Sequence, residues 1–168
     1  MLQQSPMAEP ASFTLPETAA PKIKALYDYW QSIRPAGGLL PGRRHFDPVD
    51  IPELLPSLWM IDVLRDPLRF RFRLVGTEIV RFAGRDVTGR WLDEFFEGYA
   101  ESEAFRFHRD CTLTGQPAYR RAGLLFNPTG SRLEAERLYL PLAQDGRHVD
   151  ILLVMTIYYG NPPRRRRG

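Results

Sequence analysis

The chain has 168 residues, 43% of them hydrophobic and 26% charged, the composition of one globular domain. Its pI near 9.2 misleads. Arg164 to Arg167 supply four of the 23 basic residues, leaving 19 against 20 acidic side chains over residues 1–163, so the body has no bulk electrostatic attraction for nucleic acid. One cysteine, Cys111, excludes an intramolecular disulfide framework and fits a reducing compartment. There is no basic stretch followed by an apolar one to serve as a secretion signal, and no run of about 18 apolar residues to span a membrane. The expected location is the cytoplasm.

Residues 1–21, with four prolines and few large apolar groups, are expected to be a disordered leader. Over 22–34, Ile23, Leu26, Tyr27, Trp30 and Ile33 recur at helical spacing, until Pro35 and Gly37-Gly38 stop the helix. Asp47-Pro48-Val49-Asp50 reads as a helix start with Asp47 as N-cap, and Pro56 keeps that helix short. Leu58–Leu64 and Phe70–Val75 read as a hairpin turning at Asp66-Pro67. In its second strand Phe70, Phe72 and Leu74 share one face, and Arg71, Arg73 and Val75 the other. Short helical pieces punctuated by Gly84 and Gly89 follow, then a longer helix from about Glu101 to Thr114, ended by Gly115 and Pro117. Three strands close the chain: about Ala118 to Phe126, Glu134 to Leu142 and Val149 to Tyr158. Turns at Asn127–Gly130 and Gln144–Gly146 separate them. Residues 161–168 read as a disordered, arginine-rich tail. Five antiparallel strands with helices grouped on one face make an α+β domain over 22–160.

This order of elements resembles a PAS domain, the profilin-like five-stranded fold, and more narrowly the short single-PAS proteins of alphaproteobacteria. The resemblance is carried by Tyr29-Trp30, by Asp47–Pro56, by Arg71-Phe-Arg-Leu-Val-Gly-Thr77, by Gly84-Arg-Asp-Val-Thr-Gly89 and by Glu136-Arg-Leu-Tyr-Leu-Pro-Leu142. It implies a sensory or protein-interaction module, usually dimeric, and brings no catalytic residues. It also implies a cavity between the sheet and the helices. The candidate wall is Trp59, Ile61, Phe72, Leu74, Phe82, Trp91, Phe107, His108 and Cys111, as suits a small organic ligand. The same side chains could instead fill a core without a void.

The apolar stripe Ile23, Leu26, Tyr27, Trp30 and Ile33 packs on the sheet, forms a dimer interface, or does both at once as is common in PAS domains, and a homodimer is expected, with Trp30 as its anchor. His108 lies on the longer helix, where haem-binding PAS members carry their proximal histidine. Its plain reading is a buried, hydrogen-bonded side chain, with haem ligation as the alternative. Cys111 lacks the Asn-Cys-Arg setting of flavin-binding relatives and reads as a small hydrophobe. His45 and His148 have no partner at metal-ligand spacing, and no Gly-x-Ser-x-Gly elbow is present, so neither a metal nor catalysis is expected. The arginines of Phe70–Val75 are expected to meet acidic groups such as Asp28, Glu134 or Glu136. Arg164–Arg167 read as a solvated run.

The function expected from the sequence is a non-enzymatic PAS module that binds a small ligand or a protein partner and signals in trans, since no transmitter segment is evident. Its alternatives are a constitutive interaction dimer with a filled core, or a haem sensor.

Overall fold

The structure, a computed structural model, describes residues 12–123 and 133–160. Residues 1–11 of the expected leader, the turn at 127–130, the end of the third strand at 124–126 and the tail lie outside the described residues. Strands β1 (Leu58–Leu64), β2 (Arg69–Val75), β3 (Ala118–Gly123), β4 (Glu134–Leu142) and β5 (Ile151–Tyr159) form one sheet in the order β2-β1-β5-β4-β3. All pairs are antiparallel. Helix α1 (Pro21–Ser32) lies on one face, here called outer. Helices α2 (Thr77–Ala83), α3 (Leu92–Phe95) and α4 (Glu103–Thr114) lie on the inner face.

The local chemistry explains the element ends. Pro21 occupies the first turn of α1, where its missing N–H costs nothing. The Asp47 carboxylate accepts from Val49 N at 3.0 Å and starts a short 3-10 turn at Pro48–Asp50. The Ser102 hydroxyl accepts from Phe105 N at 3.1 Å and caps α4, which Gly115 ends at φ +65°. Gly76 is set by space rather than by dihedral. A Cβ there would overlap the carbonyl oxygens of Leu55, Pro56 and Leu58, all backbone and unable to yield.

On the outer face α1 buries Ile23, Leu26 and Trp30, which are 0, 0 and 2% exposed. The stripe expected to form a dimer interface is therefore largely consumed inside the chain. Only Tyr27 and Ile33 keep part of their surface. The Trp30 indole N–H donates to the Pro141 carbonyl at 3.1 Å. That carbonyl is free because β3 begins opposite Tyr139, so the last residues of β4 have an open side. Leu142 turns its carbonyl to β5, accepting from Asp150 N, and Pro141 therefore faces the open side. Having no N–H to pair, proline is tolerated there.

The leading segment continues this cover, which corrects the disordered leader for its second half. Phe13 stacks edge-on against Tyr27 at 5.6 Å, Ala19 is buried, and the Ala20 N–H donates to Glu136 Oε1 at 2.7 Å. Glu136 is 0% exposed, and its carboxyl group also accepts from the Tyr119 hydroxyl at 3.0 Å and the Tyr159 hydroxyl at 2.6 Å. Three donors from three parts of the chain satisfy a polar group that would otherwise be costly to bury.

The expected alternation of β2 holds for Phe70 and Phe72 and then fails. Ile61 pairs with Phe72 but Met60 with Leu74, so Arg73 is an extra residue, a β-bulge. Past it the faces exchange: Val75 sits opposite Trp59, and Leu74 turns outward and is 47% exposed. The β2 arginines meet a different acid from those expected. Asp62 takes Arg71 at 3.2 Å and Arg73 at 3.0 Å, while Glu134 pairs with Arg121 at 2.6 Å. These partly exposed pairs orient side chains and add little stability. Among the described residues no helix is long and apolar enough to cross a membrane.

If Trp30 seals the outer face, Trp30→Ala should cost ~3–5 kcal/mol by urea denaturation. Trp30→Phe, which keeps most of the packing but orphans the Pro141 carbonyl, should cost ~1–3 kcal/mol. Two near-neutral variants would show that α1 does not hold the sheet.

Candidate functional site

Between the inner face and α2–α4 lies a cavity of about 320 Å³. Trp59, Phe72, Tyr139 and Tyr158 floor it from the sheet, and Ile79, Phe82, Ala83, Val87, Leu92, Phe95, Phe96, Tyr99 and Ala104 roof it. Phe82 lies flat on Tyr158 at 3.6 Å, joining roof to floor. Into this apolar box the strands bring Arg120, Arg137 and Thr156, and α4 brings His108.

The sheet register decides which polar residues arrive. Arg120 and Arg137 are direct partners across β3 and β4, and Arg137 pairs in turn with Thr156 of β5. Like charges directly opposite each other repel. One is compensated: Arg120 meets Glu103, the first residue of α4, at 2.6 Å. The other is not. Among the described residues Arg137 makes no ion pair, and its Nε donates only to Thr156 Oγ1, at a long 3.3 Å. The same oxygen accepts from the Trp59 indole at 2.9 Å, leaving the threonine proton free to be given elsewhere.

Four buried side-chain polar atoms among the described residues have no hydrogen-bond partner: His108 Nε2, Thr112 Oγ1, Arg120 Nε and the Tyr139 hydroxyl. Three of the four belong to residues that line the cavity. An orphaned buried group costs ~1–3 kcal/mol, and native structures leave few of them.

His108 is fully buried among Trp59, Phe70 and Tyr139, with its Nδ1 bonded to the Tyr99 hydroxyl at 2.6 Å. Burial first and the Arg137 charge second depress its pKa from 6.5 to about 3, so the ring is neutral at physiological pH. Burial likewise pushes up the phenols of Tyr99 and Tyr139 and the Cys111 thiol. Arg137 pulls the Tyr139 phenol back without bonding its hydroxyl within hydrogen-bond geometry.

Of the expected wall, Trp59, Phe72, Phe82 and His108 line the cavity. Ile61 is buried in the core beside it, and Leu74 is outside, flipped by the bulge. Trp91 lies beyond the β2 edge, where it bridges to Arg71 and carries the Arg69 guanidinium 4.0 Å over its ring. Phe107 stacks on Tyr139 at 5.5 Å, and Cys111 is buried away from the cavity. The two arginines, Thr156 and the tyrosines escaped sequence reasoning. Their signal was present: consecutive residues of a strand face opposite sides, so one of Arg120 and Arg121 must point inward.

A haem does not fit. The cavity is at the small end of the ~300–1,000 Å³ range of small-molecule sites, and His108 Nε2 is enclosed by aromatic rings. His45 and His148 serve local turns, bonding Gly42 N and the Asp145 carboxylate. A depression of about 500 Å³ on the outer face is lined by Arg43, Arg44 and Arg73, but each guanidinium there already has an acceptor.

Strand order β2-β1-β5-β4-β3, with helices enclosing a cavity on one face, defines a PAS fold. The family model described as PAS domain matches residues 18–156, and the chain belongs to that family. PAS domains are sensory and signalling modules. Among solved structures the chain is similar to the LOV protein of Rhodobacter sphaeroides, at 12% identity and a TM-score of 0.48 over 82% of this chain and 68% of that one. It is also similar to a domain of an HTR-like protein from Haloarcula marismortui, at 10% identity and 0.45 over 62% and 99%. A third is a fungal LOV domain photoreceptor, at 16% identity and 0.48 over 82% and 91%. No curated protein matches the chain at a significant level.

The depressed pKa of His108 has a readable consequence. Below pH ~6.5 the unfolded chain binds a proton that the folded chain refuses until about pH 3, so stability present above 6.5 is lost as pH falls. Between pH 6.5 and 5, chemical denaturation should show ~1.4 kcal/mol per pH unit more loss in the native chain than in His108→Gln. Parallel pH profiles would mean that His108 is not held neutral.

Proposed function

We propose that this PAS domain is a non-enzymatic sensor that holds a small organic ligand in the inner cavity and passes its occupancy to a protein partner in trans. One observation carries the ligand: three of the four buried polar atoms without partners among the described residues belong to residues that line the apolar cavity under the inner helices. A ligand supplying the missing bonds would stabilise the packing of α2–α4 on the sheet. A non-catalytic role is supported by the family, and by a thiol that burial keeps protonated, away from the cavity.

Arg137 and Glu136 are neighbours on β4 and face opposite sides of the sheet. A shift of β4 at the cavity therefore moves the carboxyl group that holds Ala20, the residue just before α1. Ligand binding biases two arrangements of the leading segment and α1 on the sheet, and a partner protein or a second copy of the chain reads them. With Ile23, Leu26 and Trp30 buried, a homodimer would use the outward side of α1 and its surroundings rather than the apolar stripe.

The test is to compare protein purified natively with protein unfolded, stripped of small molecules and refolded. A ligand at a hundred times its Kd adds ~2.7 kcal/mol, so the native preparation should melt ~5–10 °C higher, and adding back the released fraction should restore the difference. Equal melting temperatures and no released molecule would favour a constitutive interaction scaffold.

A further inference from the structure

We infer that the ligand is a small monocarboxylic acid with an apolar, preferably aromatic, body, its carboxylate held by Arg137 with Thr156 and Tyr139. This deepens the ligand-binding reading above and rests on it. Donors predominate among the polar atoms of the cavity, with His108 Nε2, also without a partner, a donor or an acceptor according to its tautomer. The Arg137 Nε–H reaches Thr156 Oγ1 at a long 3.3 Å and its guanidinium also acts on the phenols of Tyr139 and Tyr158, all neutral groups, so among the described residues no anion meets it. The Arg120 Nε–H lacks a partner, and the Thr156 and Tyr139 hydroxyls have protons to give. Among the described residues no aspartate or glutamate lines the cavity. Glu103 neutralises one guanidinium from the rim, and among the described residues the other, Arg137, has no counter-ion.

A partly exposed guanidinium that meets only neutral groups at the edge of an apolar cavity favours an anion there, and a carboxylate matches its fork with two parallel hydrogen bonds. Charge and size narrow the class further. One free positive charge balances a monoanion, whereas a phosphate dianion would carry an unpaired charge into an aromatic box. The volume of about 320 Å³ suits a one- or two-ring acid rather than a long acyl chain. The rings of Phe82 and Tyr158 and of Phe95 and Phe96 offer faces and edges to an unsaturated body.

Calorimetric titration of the full chain with benzoate, phenylacetate and indole-3-acetate, each against its neutral amide, tests the assignment. The tightest acid should bind at least tenfold more strongly than its amide. Arg137→Gln should erase that preference, and Arg137→Lys, which keeps the charge but loses the fork, should restore part of it. Circular dichroism and an unchanged melting profile would show that the variants are folded. Should those variants unfold, Thr156→Val replaces them and should lower acid affinity more than amide affinity. Amides that bind as well as acids would overturn the anion assignment while leaving a ligand site in place, as would release of only neutral molecules from native protein. No binding by any probe up to millimolar concentration, with nothing released from native protein, would overturn both.

Discussion

Arg120 and Arg137 stand opposite each other on adjacent strands, on the sheet face that the helices cover, and both are only partly exposed. Two like charges in that position are tolerable only with compensation. The fold provides half of it by placing Glu103 at the start of α4, 2.6 Å from Arg120. This contact also fixes where α4 begins relative to β3, and hence where His108 meets Trp59, Phe70 and Tyr139. An apolar cavity of about 320 Å³ lies beside the second guanidinium, Arg137, which among the described residues has no ion pair.

The outer face is built in the opposite way. There the buried acid, Glu136, has its donors complete, from Ala20, Tyr119 and Tyr159, and Trp30 closes the open side of β4. Among the described residues the outer acid has its donors, while the inner face keeps buried polar atoms without partners. Adjacent residues of β4 carry the two states, so any group that completes the inner face acts on a strand whose outer side anchors the leading segment.

Much of the architecture was legible in the residues. The ranges of β1 and β4 follow from short runs rich in apolar residues between turns, and the end of α4 from Gly115. The stripe on α1 is as expected, but periodicity cannot say whether its partner is the sheet or another chain, and here it is the sheet. The bulge at Arg73 was invisible, because a two-residue period carries no mark of where a strand takes an extra residue. That omission misplaced Leu74. The polar half of the cavity was missed for another reason: arginines on strands are read by habit as solvated, and only the register of β3 on β4 shows that Arg120 and Arg137 share the inner face.

The most direct measurement is a crystal structure of the natively purified protein at a resolution that shows ordered solvent. Ligand density in the inner cavity should end in a group ~2.7–2.9 Å from the Arg137 guanidinium, the spacing of a charge-assisted hydrogen bond. A cavity closed by Phe82, His108 and Tyr139 side chains, with Arg137 turned out to water, would contradict the assignment of this PAS domain as a ligand sensor.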